Sequence, residues 1–166
     1  MTGRRSQASS PHGPATRVTA ATDVTLVRPE WSLTGPFAVG ATFQRTAEPS
    51  AAPYGLTLGS TDRGAVVIAF LVRPDGAWSV QRRGAAGAWT AASVLRAATA
   101  AGPAADRLEV RVADLTAEFW VNGTRVTVVP ITAGELDGRP GVHVGAPGDI
   151  VVTTFTVEAS PALFRT

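Results

Sequence analysis

The chain has 166 residues, 45% of them apolar and 17% charged, with no cysteine and a formal net charge of +2. A chain of this length buries roughly 70% of its unfolded surface as a single domain without staples, and the lack of cysteine excludes disulfides, thiolate zinc sites, iron–sulfur clusters and cysteine nucleophiles. All 15 cationic residues are arginine; Arg4, Arg5 and Arg17 precede the first acid, Asp23, so the remainder carries 12 arginines against 13 acids and the basicity belongs to the N-terminal stretch.

Residues 1–22 are rich in Ser, Pro, Gly, Ala and Thr without apolar periodicity, the composition of a flexible arm. The domain proper is expected over 23–160, with a short tail at 161–166. Val24–Arg28 reads as a short strand stopped by Pro29. In Phe37–Arg45, Phe37, Val39, Ala41 and Phe43 alternate with smaller or polar residues, the pattern of a half-buried strand. Tyr54–Leu58 alternates likewise. The run Ala65–Val72 is apolar at both parities and predicts a central strand buried on both faces.

Arg73-Pro74-Asp75-Gly76 is a turn, and Ala77–Arg83 returns with Trp78 and Val80 on one face. Ala88–Leu95 follows, then an Ala-rich loop or single helical turn. Asp106–Pro130 predicts three consecutive antiparallel strands: Leu108, Val110 and Val112 inward, then Leu115, Ala117, Phe119 and Val121 inward, and a return through Val126 and Val128. Asn122-Gly123 between the last two supplies the positive-φ pair of a type I′ hairpin turn. Gly141–Gly145 is a further short strand. Asp149–Glu158 is the last, with Val151, Phe155 and Val157 at one parity. About ten short strands and no amphipathic helix predict an all-β antiparallel sandwich.

The motif order resembles the concanavalin A-like lectin/glucanase jelly roll, specifically its laminin-G-like bacterial modules. The resemblance rests on YGLTLG at Tyr54–Gly59, FLVRPDGAWSVQRR at Phe70–Arg83, RLEVRV at Arg107–Val112, EFWVNGTRV at Glu118–Val126, then GRPGVHVG and the closing VVTTFTV. It implies two packed antiparallel sheets and, in many members, a sugar or protein ligand on the concave sheet or the loop rim. It does not imply catalysis.

The glucanases of that family carry three carboxylates on one strand face. Here Glu135-Leu136-Asp137 lacks the third acid and lies between Gly134 and Gly138, which predicts a polar turn. His12 and His143 are the only histidines, too few for a catalytic triad or multi-histidine metal site in this context; His143 is expected to face outward. No enzyme activity, cofactor or metal site is expected. Asp62, Asp137 and Asp149 mark where a calcium would sit at the loop rim if one were bound. Asn122-Gly123-Thr124 fits the glycosylation sequon but is read as a turn. No basic stripe with interleaved aromatics is present, so no nucleic-acid partner is expected.

Trp120 alternates with the inward Phe119 and Val121. It therefore projects outward beside Glu118, within cross-strand reach of Glu109, Arg111 and Arg125. A surface indole among Arg and Glu suits a protein hot spot or a sugar-stacking platform.

The reading drawn from these residues is a non-enzymatic accessory subunit. It would dock on a larger assembly, membrane-bound or not, through Arg4, Arg5 and Arg17 of the arm and the face around Trp120. The alternative is a carbohydrate-binding, lectin-like module with carbohydrate as the partner. The longest apolar run falls short of the ~18 residues that span a bilayer, and no hydrophobic segment follows Arg4-Arg5. The expected location is the cytoplasm or the cytoplasmic face of a membrane complex.

Overall fold

The structure is a computed structural model that describes residues 15–28, 31–45, 52–60, 67–74, 77–83, 89–96, 105–113 and 115–158. These form twelve strands: β1 (Thr16–Ala20), β2 (Val24–Val27), β3 (Phe37–Arg45), β4 (Tyr54–Ser60), β5 (Ile68–Val72), β6 (Ala77–Arg83), β7 (Trp89–Arg96), β8 (Ala105–Val112), β9 (Thr116–Val121), β10 (Thr124–Pro130), β11 (Arg139–Val144) and β12 (Gly148–Glu158). They pair antiparallel into two six-stranded sheets, one ordered β1-β12-β3-β8-β9-β10 and the other β2-β11-β4-β5-β6-β7. Among the described residues there is no helix, and none long and apolar enough to cross a membrane.

Period-two alternation builds the sandwich. Phe37, Val39, Ala41 and Phe43 of β3 and Leu108, Val110 and Phe119 of β8 and β9 are fully buried against Leu56, Ile68, Phe70, Val72 and Val80 of the other sheet. The Phe70 and Phe119 rings meet edge-to-face across the interface at 5.0 Å. β5 is buried at every position, as its two-parity apolar run requires, and lies between β4 and β6. Asn122 (φ 50°) and Gly123 (φ 83°) close the β9–β10 hairpin in the left-handed region, the backbone demand that the Asn-Gly pair meets.

One end of the sandwich is fastened by a buried polar clasp. Asp106, with no exposed surface, accepts hydrogen bonds from the Tyr54 hydroxyl (2.5 Å), Arg45 Nη1 (3.0 Å) and Asn122 Nδ2 (2.9 Å). Tyr54 belongs to one sheet and Arg45 and Asp106 to the other, so the clasp bridges the layers. Burial first, and then the Asp106 carboxylate, push the Tyr54 hydroxyl well above the ordinary tyrosine pKa. Elsewhere Arg82 of β6 reaches the other sheet at the Pro130 carbonyl (2.6 Å) and pairs with Glu135 (3.1 Å).

Four expectations are corrected. Thr16–Ala20, assigned to the arm, is an edge strand on β12 with Val18 and Ala20 buried; two apolar residues among Thr and Arg are too short a signal to stand out. Leu115 is 60% exposed, because it sits in the β8–β9 turn before alternation resumes at Ala117. In β10 the register shifts between Arg125 and Thr127, so Val129 is buried and Val128 exposed. A shift between Thr153 and Thr156 likewise breaks β12's parity: Ile150, Val152 and Val157 are buried while Val151 is only half-buried. A bulge inserts a residue and flips every later side chain. The Ala-rich segment 97–104 and the tail 161–166 lie outside the described residues.

Candidate functional site

The outer face of the second sheet is set by residues alternating with its core. In β5 and β6 the inward Phe70, Val72, Trp78 and Val80 leave Leu71, Ala77, Ser79 and Gln81 pointing away from the core, with Leu71 opposite Ser79 and Ala69 opposite Gln81. Small residues keep the floor low. Gly55 lies opposite Leu71, and a Cβ there would collide with the Phe70 carbonyl oxygen.

Above this floor lies an open hollow lined by Pro53, Leu71, Arg73, Ala77, Trp78, Ser79 and Gln81. Its rim is held by backbone bonds, Arg73 N–H to Ala77 C=O (2.8 Å) and Gly145 N–H to Pro53 C=O (2.8 Å). The side chains of Arg73, Ser79 and Gln81 have no hydrogen-bond or ion-pair partner among the described residues. An apolar floor with a few unspent donors and acceptors around it is the composition of a small-ligand site.

The face singled out around Trp120 lies on the other sheet. The structure brings its residues together: Glu109 and Arg125 both lie opposite Trp120, and Arg111 lies opposite Glu118. These groups satisfy one another. Arg111 stacks on the indole at 4.3 Å and pairs with Glu109 at 3.0 Å. Glu118 accepts from Trp120 Nε1 (3.3 Å) and from Arg125 (3.5 Å). One ring face is therefore covered and the charges are neutralised in place.

Of the arm residues, Arg17 is tied into its own fold by a two-pronged pair with Asp149, at 2.9 and 2.5 Å. That hydrogen bonding holds the Asp149 carboxyl below its ordinary pKa. Arg4 and Arg5 lie outside the described residues.

Glu135 and His143 make contacts within the fold. Glu135 Oε1 accepts from Thr132 N–H (2.9 Å) within the turn while the carboxylate pairs with Arg82. His143 alternates with the buried Val142 and Val144 and faces outward as expected, though half-covered, with Nδ1 2.9 Å from Thr25 Oγ1, and burial lowers its pKa despite Asp23. Among the described residues no three His, Asp or Glu side chains group as metal ligands, and Asp62 lies outside them.

Sequence reading missed the hollow. Arg73 was absorbed into a turn, and Ser79 and Gln81 are ordinary outward strand positions. The only available signal was the change, at one parity, from apolar in β5 to polar in β6.

Neither a family model nor a curated protein matches the sequence. Solved structures do. The carbohydrate-binding module CBM66 from Bacillus subtilis superposes with a TM-score of 0.70 at 11% identity, over 91% of this chain and 94% of that one. The fold is a concanavalin A-like jelly roll. A toad ovary galectin in complex with thio-digalactose shares this jelly roll at a TM-score of 0.62 and 12% identity, over 84% of this chain and all of that one. An alginate lyase gives a TM-score of 0.53 at 17% identity over 78% and 64%.

Proposed function

We propose that this jelly roll is a non-catalytic, lectin-like module that binds carbohydrate on the outer face of β5 and β6. The observation that carries the reading is the hollow itself, where Arg73, Ser79 and Gln81 stand unpartnered among the described residues over Leu71 and Ala77. A sugar ring presents an apolar face and a belt of hydroxyls, and such a site offers both a contact floor and free hydrogen-bonding groups. Support comes also from the neighbours, one a carbohydrate-binding module and one a galectin in complex with thio-digalactose. Shared fold is an analogy, so the weight rests on the site.

Docking as an accessory subunit has less support. Arg17 is committed to Asp149, and the Trp120 face is occupied by its own Arg111 and Glu118. The test is glycan-array binding of the wild type, the Ser79→Ala/Gln81→Ala double variant and Trp120→Ala. Retention of a glycan by the wild type and by Trp120→Ala, with loss in the double variant, is expected. No retained glycan, or loss only in Trp120→Ala, overturns the proposal.

A further inference from the structure

Arginine is the only cation in this chain, and the fold pairs nearly every arginine side chain that the structure describes. Arg17 binds Asp149, Arg45 binds Asp106, Arg82 binds Glu135 and the Pro130 carbonyl, and Arg107 bonds the Thr154 carbonyl and Thr156 hydroxyl. Arg111 binds Glu109 and Trp120, Arg125 binds Glu118, Arg28 lies over the Phe155 ring, and Arg139 is also engaged. Among the described arginine side chains Arg73 alone has no such partner, and it is exposed at the rim of the hollow. Among its described lining residues the hollow has no acid, and Arg73 carries the one charge there, beside neutral Ser79 and Gln81.

We infer that the glycan bound here is acidic, carrying a carboxylate or sulfate oxyanion that Arg73 receives. This rests on the glycan-binding reading and narrows it to a ligand class. A guanidinium presents its donors in a planar fork that matches two oxygens of a carboxylate or sulfate. Ser79 and Gln81 are then left for the sugar hydroxyls, and Leu71 and Ala77 for the apolar face of the ring. Arg73 is pinned at its backbone to Ala77, so the fork works from a fixed point on the β5–β6 turn. A neutral sugar would leave that charge unused, and an added acid on the ligand gains a charge-assisted bond that a neutral analogue cannot make.

The experiment is binding of wild type and Arg73→Gln to an array of neutral, uronate-bearing and sulfated glycans, followed by titration calorimetry with the retained acidic glycan and its methyl-esterified or desulfated counterpart. The wild type is expected to favour the charged form roughly tenfold or more. The preference should weaken with added salt and collapse in Arg73→Gln, whose melting temperature stays that of the wild type because the side chain is exposed. Retention of the uronates or of the sulfated glycans tells the two oxyanions apart. Equal affinity for neutral and acidic forms, or a preference that survives Arg73→Gln, overturns the acidic-ligand inference and leaves glycan binding standing. Failure to retain any glycan overturns both.

Discussion

Replacing Asp106 by Asn removes one charge from the inter-sheet clasp and almost no volume. The carboxylate is fully buried and accepts three hydrogen bonds, from Tyr54, Arg45 and Asn122, while the Arg45 side chain is only 8% exposed. An amide has one acceptor oxygen, so its NH₂ must face a donor, and Arg45 keeps a positive charge in a site that no longer balances it. Breaking a buried pair from one side costs about 3 to 5 kcal/mol, a large part of the roughly 5 to 15 kcal/mol that holds a domain together. Urea unfolding followed by circular dichroism should show a lower midpoint with an unchanged m-value, and the melting temperature should fall by roughly 6 to 20 °C. A loss below about 1 kcal/mol at unchanged m would mean that the clasp is solvated and does not bind the sheets.

Tyr54→Phe removes one bond to that carboxylate and should cost about 1.5 to 3 kcal/mol. Because the folded-state pKa of Tyr54 is raised, its contribution is full below about pH 10 and is lost as pH rises beyond that; the alkaline decline expected of the wild type should therefore be shallower in Tyr54→Phe. His143 has a lowered folded-state pKa, so its contribution is present above about pH 6.5 and lost on acidification; His143→Gln should flatten the stability profile below that pH. Gly123→Ala meets no atom within 4 Å, so its cost is purely the left-handed backbone, about 1 to 2 kcal/mol by denaturant titration. Thr57 is buried with no partner for its hydroxyl, so Thr57→Val should leave the melting temperature unchanged or raise it.

Wherever alternation ran unbroken, the sequence specified the fold: β3, β4, β8 and β9 and the Asn122-Gly123 turn all stand where period two and turn chemistry put them. Parity failed at Leu115, which sits in the β8–β9 turn, and on strands β10 and β12, where a bulge depends on the partner strand and leaves no local mark in Val126–Val128 or Val151–Phe155. The Trp120 group was legible because cross-strand neighbours follow once three strands meander in sequence. That Arg111 would cover the indole was not, since it depends on rotamers. The hollow required the register of Leu71 against Ser79 and a count of which arginines find acids, both properties of the assembled sheets.

Backbone amide NMR with the glycan retained on the array is the most direct test of the proposal that this jelly roll binds sugar at the hollow. Binding at the hollow predicts dose-dependent shifts at Leu71, Arg73, Ser79 and Gln81, with Glu109, Glu118 and Trp120 unmoved. Shifts centred on Trp120, or none at saturating glycan, would contradict it.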